Sequence, residues 1–398
     1  MTRASAALLV ALATVACRKA PPPAPRAVDY DVTLDARDDC LHHATALVSL
    51  GADGVLLFGA CGHTSEGERG EEIVGARLDP RGRAGTIEPV EVLDSGWATN
   101  LVAAPIKNGG ALLGWTAAVS RHASAYVEPV DEQSRPTGEP TAIGPGRAAA
   151  LASGPQGGAL ALVTEPDVLS DDDPTAGIAL EIVILDAGAA IVGRQNISHR
   201  VEAARPQVAL AGDADGYALV WSEAGVLTAT HTDASGTISA RGAIVPDPST
   251  LQLPVGTRFS SPSLVLTAQH AHVAALVELP GGSSEIWLGT GTIGARERDW
   301  HWARIVASSS SRRSGLSLSR SPDGSFLAWS ESAGEFSAIH TLRLDPNGAP
   351  IGPPSVAILA AILFDGPVAA LAGIVAAAQP PANGATGALR VVQRVSAK

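Results

Sequence analysis

Glu165, Glu223, Glu278 and Glu331 each close an apolar run at about the same place in a recurring pattern. Carboxylate oxygen is the natural ligand of Ca2+. Four such groups facing one way would make an electronegative surface for that cation or for a basic partner. The blander reading is that they are inherited turn residues in solvent. Two acidic stretches stand near this position, HTSEGERGEE at 63–72 and EPDVLSDDDPTAG at 165–177.

Other motifs are weaker. DADG (213–216) has neither the D-x-D-x-D-G spacing nor the distal Glu of a calcium loop, so it reads as a turn. GTGTIG (289–294) matches G-x-G-x-x-G, but the following ARERDWHWARIV reads as a strand, and dinucleotide binding needs a helix there. DWHW (299–302) offers aromatic platforms for a sugar, with Asp299 and His301 as polar handles, or else alternating packing in an outer strand. His42, His43 and His63 match no zinc spacing. No H-E-x-x-H, G-x-S-x-G, P-loop or in-register sialidase Asp-box occurs, so no catalytic residue is assigned.

These residues must be positioned by repeats. With Gly216 as zero, Trp221 falls at +5 and Glu223 at +7; with Gly324 as zero, Trp329 and Glu331 do the same. Zero points at 54, 110, 158, 216, 271 and 324 share the pattern, and a further unit fits near Gly373. Each unit reads as a small-apolar strand, a tight Gly turn, an apolar second strand, a third strand, a Gly/Pro/Asn turn and a fourth strand. The expected fold is therefore all-β: a seven-bladed β-propeller with four antiparallel strands per blade. The last unit shows only three strands, so YDVTLDA (30–36) is expected to close the ring as an N-terminal fourth. A string of β-sandwiches is the rival, since Trp115, Trp221 and Trp329 are about one such domain apart.

SPDGSFLAWSES (321–332) followed by LRLDPNG resembles the WD40-like (PD40) repeat of TolB-type propellers. That resemblance implies a propeller of the bacterial envelope and carries no common catalytic residue.

The chain has 398 residues, 45% hydrophobic, with 42 Gly and 28 Pro, which suits many short strands joined by turns. Its formal charge is −12, and Lys occurs only at 19, 107 and 398. Nucleic acid and anionic membrane surfaces are excluded as partners on that balance. Residues 356–378 are apolar but interrupted by Asp365, Gly366 and Pro367, so a buried strand pair is expected there rather than a membrane span.

The N-terminus reads as targeting sequence: MTR, then the short apolar run ASAALLVALATVA. TVAC (14–17) resembles a bacterial lipobox with Thr14 where Leu is usual, which implies removal of residues 1–16 and lipid attachment at Cys17. RKAPPPAPRA then reads as part of a polyproline tether, residues 17–28, reaching ~30 Å. The propeller would occupy 29–398. With Cys17 lipidated, Cys40 and Cys61 remain, either as a disulfide stabilising by about 3 kcal/mol or as two buried thiols.

The expected function is a lipid-anchored envelope module, on the outer membrane, that binds or scaffolds an envelope protein or glycan. It is expected to be a monomer, with Ca2+ the one cofactor suggested. The alternative is a glycan-active hydrolase or lyase with its site in the central funnel.

Overall fold

A computed structural model of the chain describes residues 30–34, 40–51, 54–63, 71–79, 85–93, 97–107, 109–119, 122–164, 178–201, 207–223, 225–245, 248–267, 270–321, 323–333, 336–360, 369–371, 374–379 and 388–393. β1 (Tyr30–Leu34) comes first. Blade 1 is β2 (Cys40–Ser49), β3 (Val55–His63), β4 (Glu71–Leu78) and β5 (Glu88–Leu93). Blade 2 is β6 (Trp97–Pro105), β7 (Ala111–Val119), β8 (His122–Val130) and β9 (Thr141–Pro145). Blade 3 is β10 (Arg147–Ser153), β11 (Gly157–Thr164), β12 (Ile178–Asp186) and β13 (Ile191–Val201). Blade 4 is β14 (Val208–Gly212), β15 (Gly216–Glu223), β16 (Val226–Asp233) and β17 (Ile238–Ala243). Blade 5 is β18 (Arg258–Leu266), β19 (Ala271–Glu278), β20 (Ser284–Gly291) and β21 (His301–Ser309). Blade 6 is β22 (Arg312–Ser321), β23 (Gly324–Ala333), β24 (Phe336–Leu344) and β25 (Ser355–Ala360). β26 (Ala369–Leu371), β27 (Ile374–Gln379) and β28 (Ala388–Gln393) end the chain.

The fold is an all-β propeller, and the sandwich alternative falls because the four-stranded sheets adjoin in series through their first strands. The expectation of seven like blades is corrected to six blades of four consecutive antiparallel strands. The last sheet is composite, in the order β1-β28-β27-β26, and its innermost strand has only three residues. β1 is the fourth strand of that sheet, but closure of the ring by it is not shown. β1 extends β28 at the outer edge, Tyr30 opposite Gln393 through Leu34 opposite Leu389. Packing onto the neighbours runs through β26 and β27: β26 adjoins β22 and β2, Val375 joins the blade 6 cluster and Ala376 the blade 1 cluster. A count of hairpins could not separate these cases, because hairpins repeat locally whereas a composite sheet is joined across the whole chain.

First strands of successive blades adjoin, β2 with β6 and so on to β22, so they are the inner strands. Second strands are buried throughout, as in β15, because each is covered by sheets on both sides. The +5 tryptophans fill those interfaces: Trp115, Trp221 and Trp329 are at most 1% exposed.

Two local devices recur. At the end of the third strands, Asp131, Asp186, Asp233 and Asp345 each accept two backbone N–H bonds through Oδ1, from positions +2 and +4. This is an Asx turn, written D-x-x-G at Asp233 and Asp345, with Ser134 and Ala189 taking the positive φ of the glycine at the other two. At the rim, a fourth strand reaches back to the preceding blade. Arg194 donates to the Ile143 carbonyl, Arg241 to that of Ile197 and Trp302 Nε1 to that of Ile244. These bonds give adjacent blades a fixed lateral register.

Candidate functional site

The ends of the second strands lie on the face that carries the connectors between blades. Glu331 is held from two blades: Ser309 Oγ of blade 5 donates to Oε1 at 2.9 Å and Arg313 Nε of its own blade to Oε2 at 3.1 Å. Burial alone would raise this carboxyl, but Ser309 and Arg313 hold it below the ordinary range. Arg313 also donates to the Ser284 and Ala307 carbonyls of blade 5, so the pair is an inter-blade fastener. Glu223 accepts from Trp221 Nε1 at 3.2 Å and from Arg241 at 3.4 Å. Glu278 accepts from Ser260 Oγ at 2.7 Å. All three carboxylates are thus engaged, Glu223 and Glu278 within their own blades and Glu331 by blade 6 and the adjoining blade 5.

Glu165 lies outside the described residues, as does the 165–177 stretch that it begins. Strand register also removes it from the repeat position. Gly157 stands opposite Asp186 as Gly216 stands opposite Asp233. The zero of unit three is therefore Gly157, not Gly158, and its +7 residue is Thr164. Adjacent glycines had concealed the shift. Among the described residues, no group of three or more His, Cys, Asp or Glu could hold a metal ion.

The glycine and tryptophan motifs explain each other. Gly289 is paired with Trp302 across β20 and β21. A Cβ on Gly289 would lie 2.6 Å from the Trp302 ring, and one on Gly291 2.5 Å from the Trp300 ring. GTGTIG thus supplies seats for the DWHW tryptophans, both of which are buried. In DADG, Asp213 Oδ1 accepts from the Asp215 and Gly216 amides, which makes it a turn. Cys40 faces His63 and His42 faces Cys61 across β2 and β3, so the two cysteines are diagonal on one face. Cys61 is buried, whereas the side chains of Cys40, His42, His43 and His63 lie outside the described residues, as does Cys17.

The opposite face, with the hairpin turns, has a cavity of about 520 Å3 between blades 1 and 2, lined by Ser49, Leu50, Ile106, Lys107 and Glu132 among others. Its charges are already engaged, Lys107 with the Pro155 carbonyl and Glu132 with Arg77 at 3.7 Å.

On the connector face one side chain stands apart. Trp97 opens the inner strand β6 and is 56% exposed, while the other six tryptophans are buried. Its ring lies over Gly62 of blade 1: a Cβ there would sit 3.1 Å from Trp97 Cζ3 and 3.9 Å from Glu71 Oε1. Glu71 is opposite Gly62 on β4, and burial pushes its carboxyl up to about 8. Sequence reasoning missed this place. The available signal was that Trp97 is off the +5 position that buries Trp115, Trp221 and Trp329.

No family model matches the chain, and no curated protein matches it. Among solved structures, a protein of unknown function from Dyadobacter fermentans superposes with a TM-score of 0.52 at 11% identity, covering 93% of this chain and 99% of its own. That likeness supports the fold alone. An α-L-arabinanase of Penicillium chrysogenum complexed with arabinobiose and a GH93 α-L-arabinofuranosidase of Fusarium graminearum each give 0.49 at 12% identity, covering 74% of this chain and 93% of theirs. Neither bears further on this chain.

Proposed function

We propose that this propeller is a binding module of the bacterial cell envelope that takes its ligand on the connector face. The observation that carries this reading is the exposed Trp97 at the head of an inner strand, on a face whose described +7 glutamates are engaged locally. Among the described residues no carboxyl pair faces the exposed aromatic, which suits binding better than hydrolysis. Glycoside cleavage needs two carboxyl groups flanking one bond. Among the described residues the acid beside Trp97 is Glu71, which is buried, and its neighbour Glu72 points to the opposite face of β4. A scaffold would need a broad apolar patch, whereas the exposed large aliphatic residues among those described are scattered: Ile191 and Val192 on blade 3, Val226 on blade 4, Val255 on a connector, Ile351 and Val356 on blade 6. Engagement of Glu223, Glu278 and Glu331 also disfavours Ca2+ as the ligand of this face.

The test is calorimetry of the mature chain against a glycan panel and envelope proteins, with reducing ends assayed in parallel. Saturable binding without turnover is expected. Release of reducing ends would replace this reading with the hydrolase, and absence of any ligand would remove it.

The module is held to the outer membrane through lipid on Cys17, with Cys40 and Cys61 joined as a disulfide. Support for the anchor is the TVAC sequence, and for the bond the shared face of β2 and β3. Mass mapping of membrane-extracted protein under non-reducing conditions is expected to find a lipidated Cys17 and one peptide pair linked through Cys40 and Cys61. An unmodified Cys17 removes the anchor, and free thiols at both other positions remove the bond.

A further inference from the structure

Resting on that binding reading, we propose that Trp97 and Gly62 form a subsite for one face of a neutral sugar ring. Trp97 crosses from blade 2 onto blade 1, and it can lie there because Gly62 has no side chain to lift it. The indole is thereby seated before any ligand arrives, which lowers the entropic cost of binding. A pyranose offers C–H groups on one face and hydroxyls around its edge. The C–H face suits the electron-rich face of an indole, and the hydroxyls stay in water.

Charge selects the ligand class. A formal charge of −12 repels polyanions. A cation would seek an ionised carboxylate, yet among the described residues the carboxyl beside the ring is that of Glu71, which burial keeps protonated at neutral pH. A ligand without charge meets neither cost.

Acrylamide quenching of tryptophan fluorescence tests this, because Trp97 alone among the seven is exposed. The probes are cellotetraose, xylotetraose, maltotetraose and chitotetraose, with tetragalacturonate as the anionic comparison. Expected is saturable protection by at least one neutral tetrasaccharide and none by tetragalacturonate. Trp97→Ala is expected to weaken that affinity by about tenfold in calorimetry, Trp97→Phe by less, and Gly62→Val to act like the alanine variant. Since Trp97 is half in solvent, its variants are expected to melt with the parent, which separates lost recognition from lost folding. Binding by Trp97→Ala at the parent affinity overturns the subsite and leaves the binding-module reading standing. A preference for tetragalacturonate, or no protection by any neutral probe, overturns it too.

Discussion

Gly324→Ala is expected to cost about 3–4 kcal/mol, whereas Gly352→Ala costs about 1. Both glycines have positive φ, +142° and +79°, so both substitutions carry backbone strain. They differ in what a Cβ would meet. At Gly324 it would run into the carbonyl oxygen of Leu344, while at Gly352 nothing lies within 4 Å. Backbone cannot swing aside as a side chain can, so relief at Gly324 requires β23 and β24 to part where they pair. The same approach recurs at Gly54 with Leu78, Gly110 with Val130 and Gly216 with Thr232. Urea denaturation of the two variants measures the difference. Equal losses would mean that dihedral strain, and not the close strand approach, keeps glycine at the zero position.

Glu128→Gln is expected to stabilise the protein above neutral pH and to do little at pH 4. Glu128 is 2% exposed, and its Oε2 has no hydrogen-bond partner. Burial, and then the neighbouring Glu91, push its carboxyl up to about 7 from 4.5. A raised carboxyl favours the protonated fold, so this stability is complete below pH 4.5 and is lost as pH rises through 7. The loss is about 3 kcal/mol over that window. Glutamine keeps the shape and never ionises, so the gain should grow between pH 5 and 7 and then level. Glu71, raised to about 8, extends the same limb to higher pH. His272 acts in the opposite sense. It is buried with neither ring nitrogen bonded, and burial and His270 lower its pKa while Asp345 opposes them. Its contribution is present above pH 6.5 and lost on acidification. Below pH 6.5 the two senses oppose each other, so in denaturation midpoints from pH 4 to 9 the net fall toward alkaline pH is what Glu128→Gln should flatten, up to about pH 7. An unchanged alkaline slope would assign that limb to other groups.

Much of the architecture was legible because its determinants are local. A Gly turn, an apolar strand and a D-x-x-G turn are each complete within a dozen residues, so repetition exposes them without any tertiary contact. The DADG and SPDG stretches belong to this class. Legibility failed where the physics is non-local. Gly157 and Gly158 are interchangeable in a sequence comparison, and only pairing with Asp186 separates them. GTGTIG and DWHW looked like two chemical motifs until strand pairing placed indole over glycine.

The glutamates show the division most directly. Their recurrence at the end of the second strand is sequence information, and it holds for Glu223, Glu278 and Glu331. Whether they are available is not, because Arg313, Arg241 and Ser260 arrive from other strands. By itself the sequence determined an all-β repeat, the turns that punctuate it and the residues that fill its second strands. The tertiary structure decided that six blades are continuous and one sheet is composite, that the repeated acids are engaged, and that Trp97 is exposed. Strand and turn propensities act over a few bonds, while exposure and pairing depend on which distant segments meet.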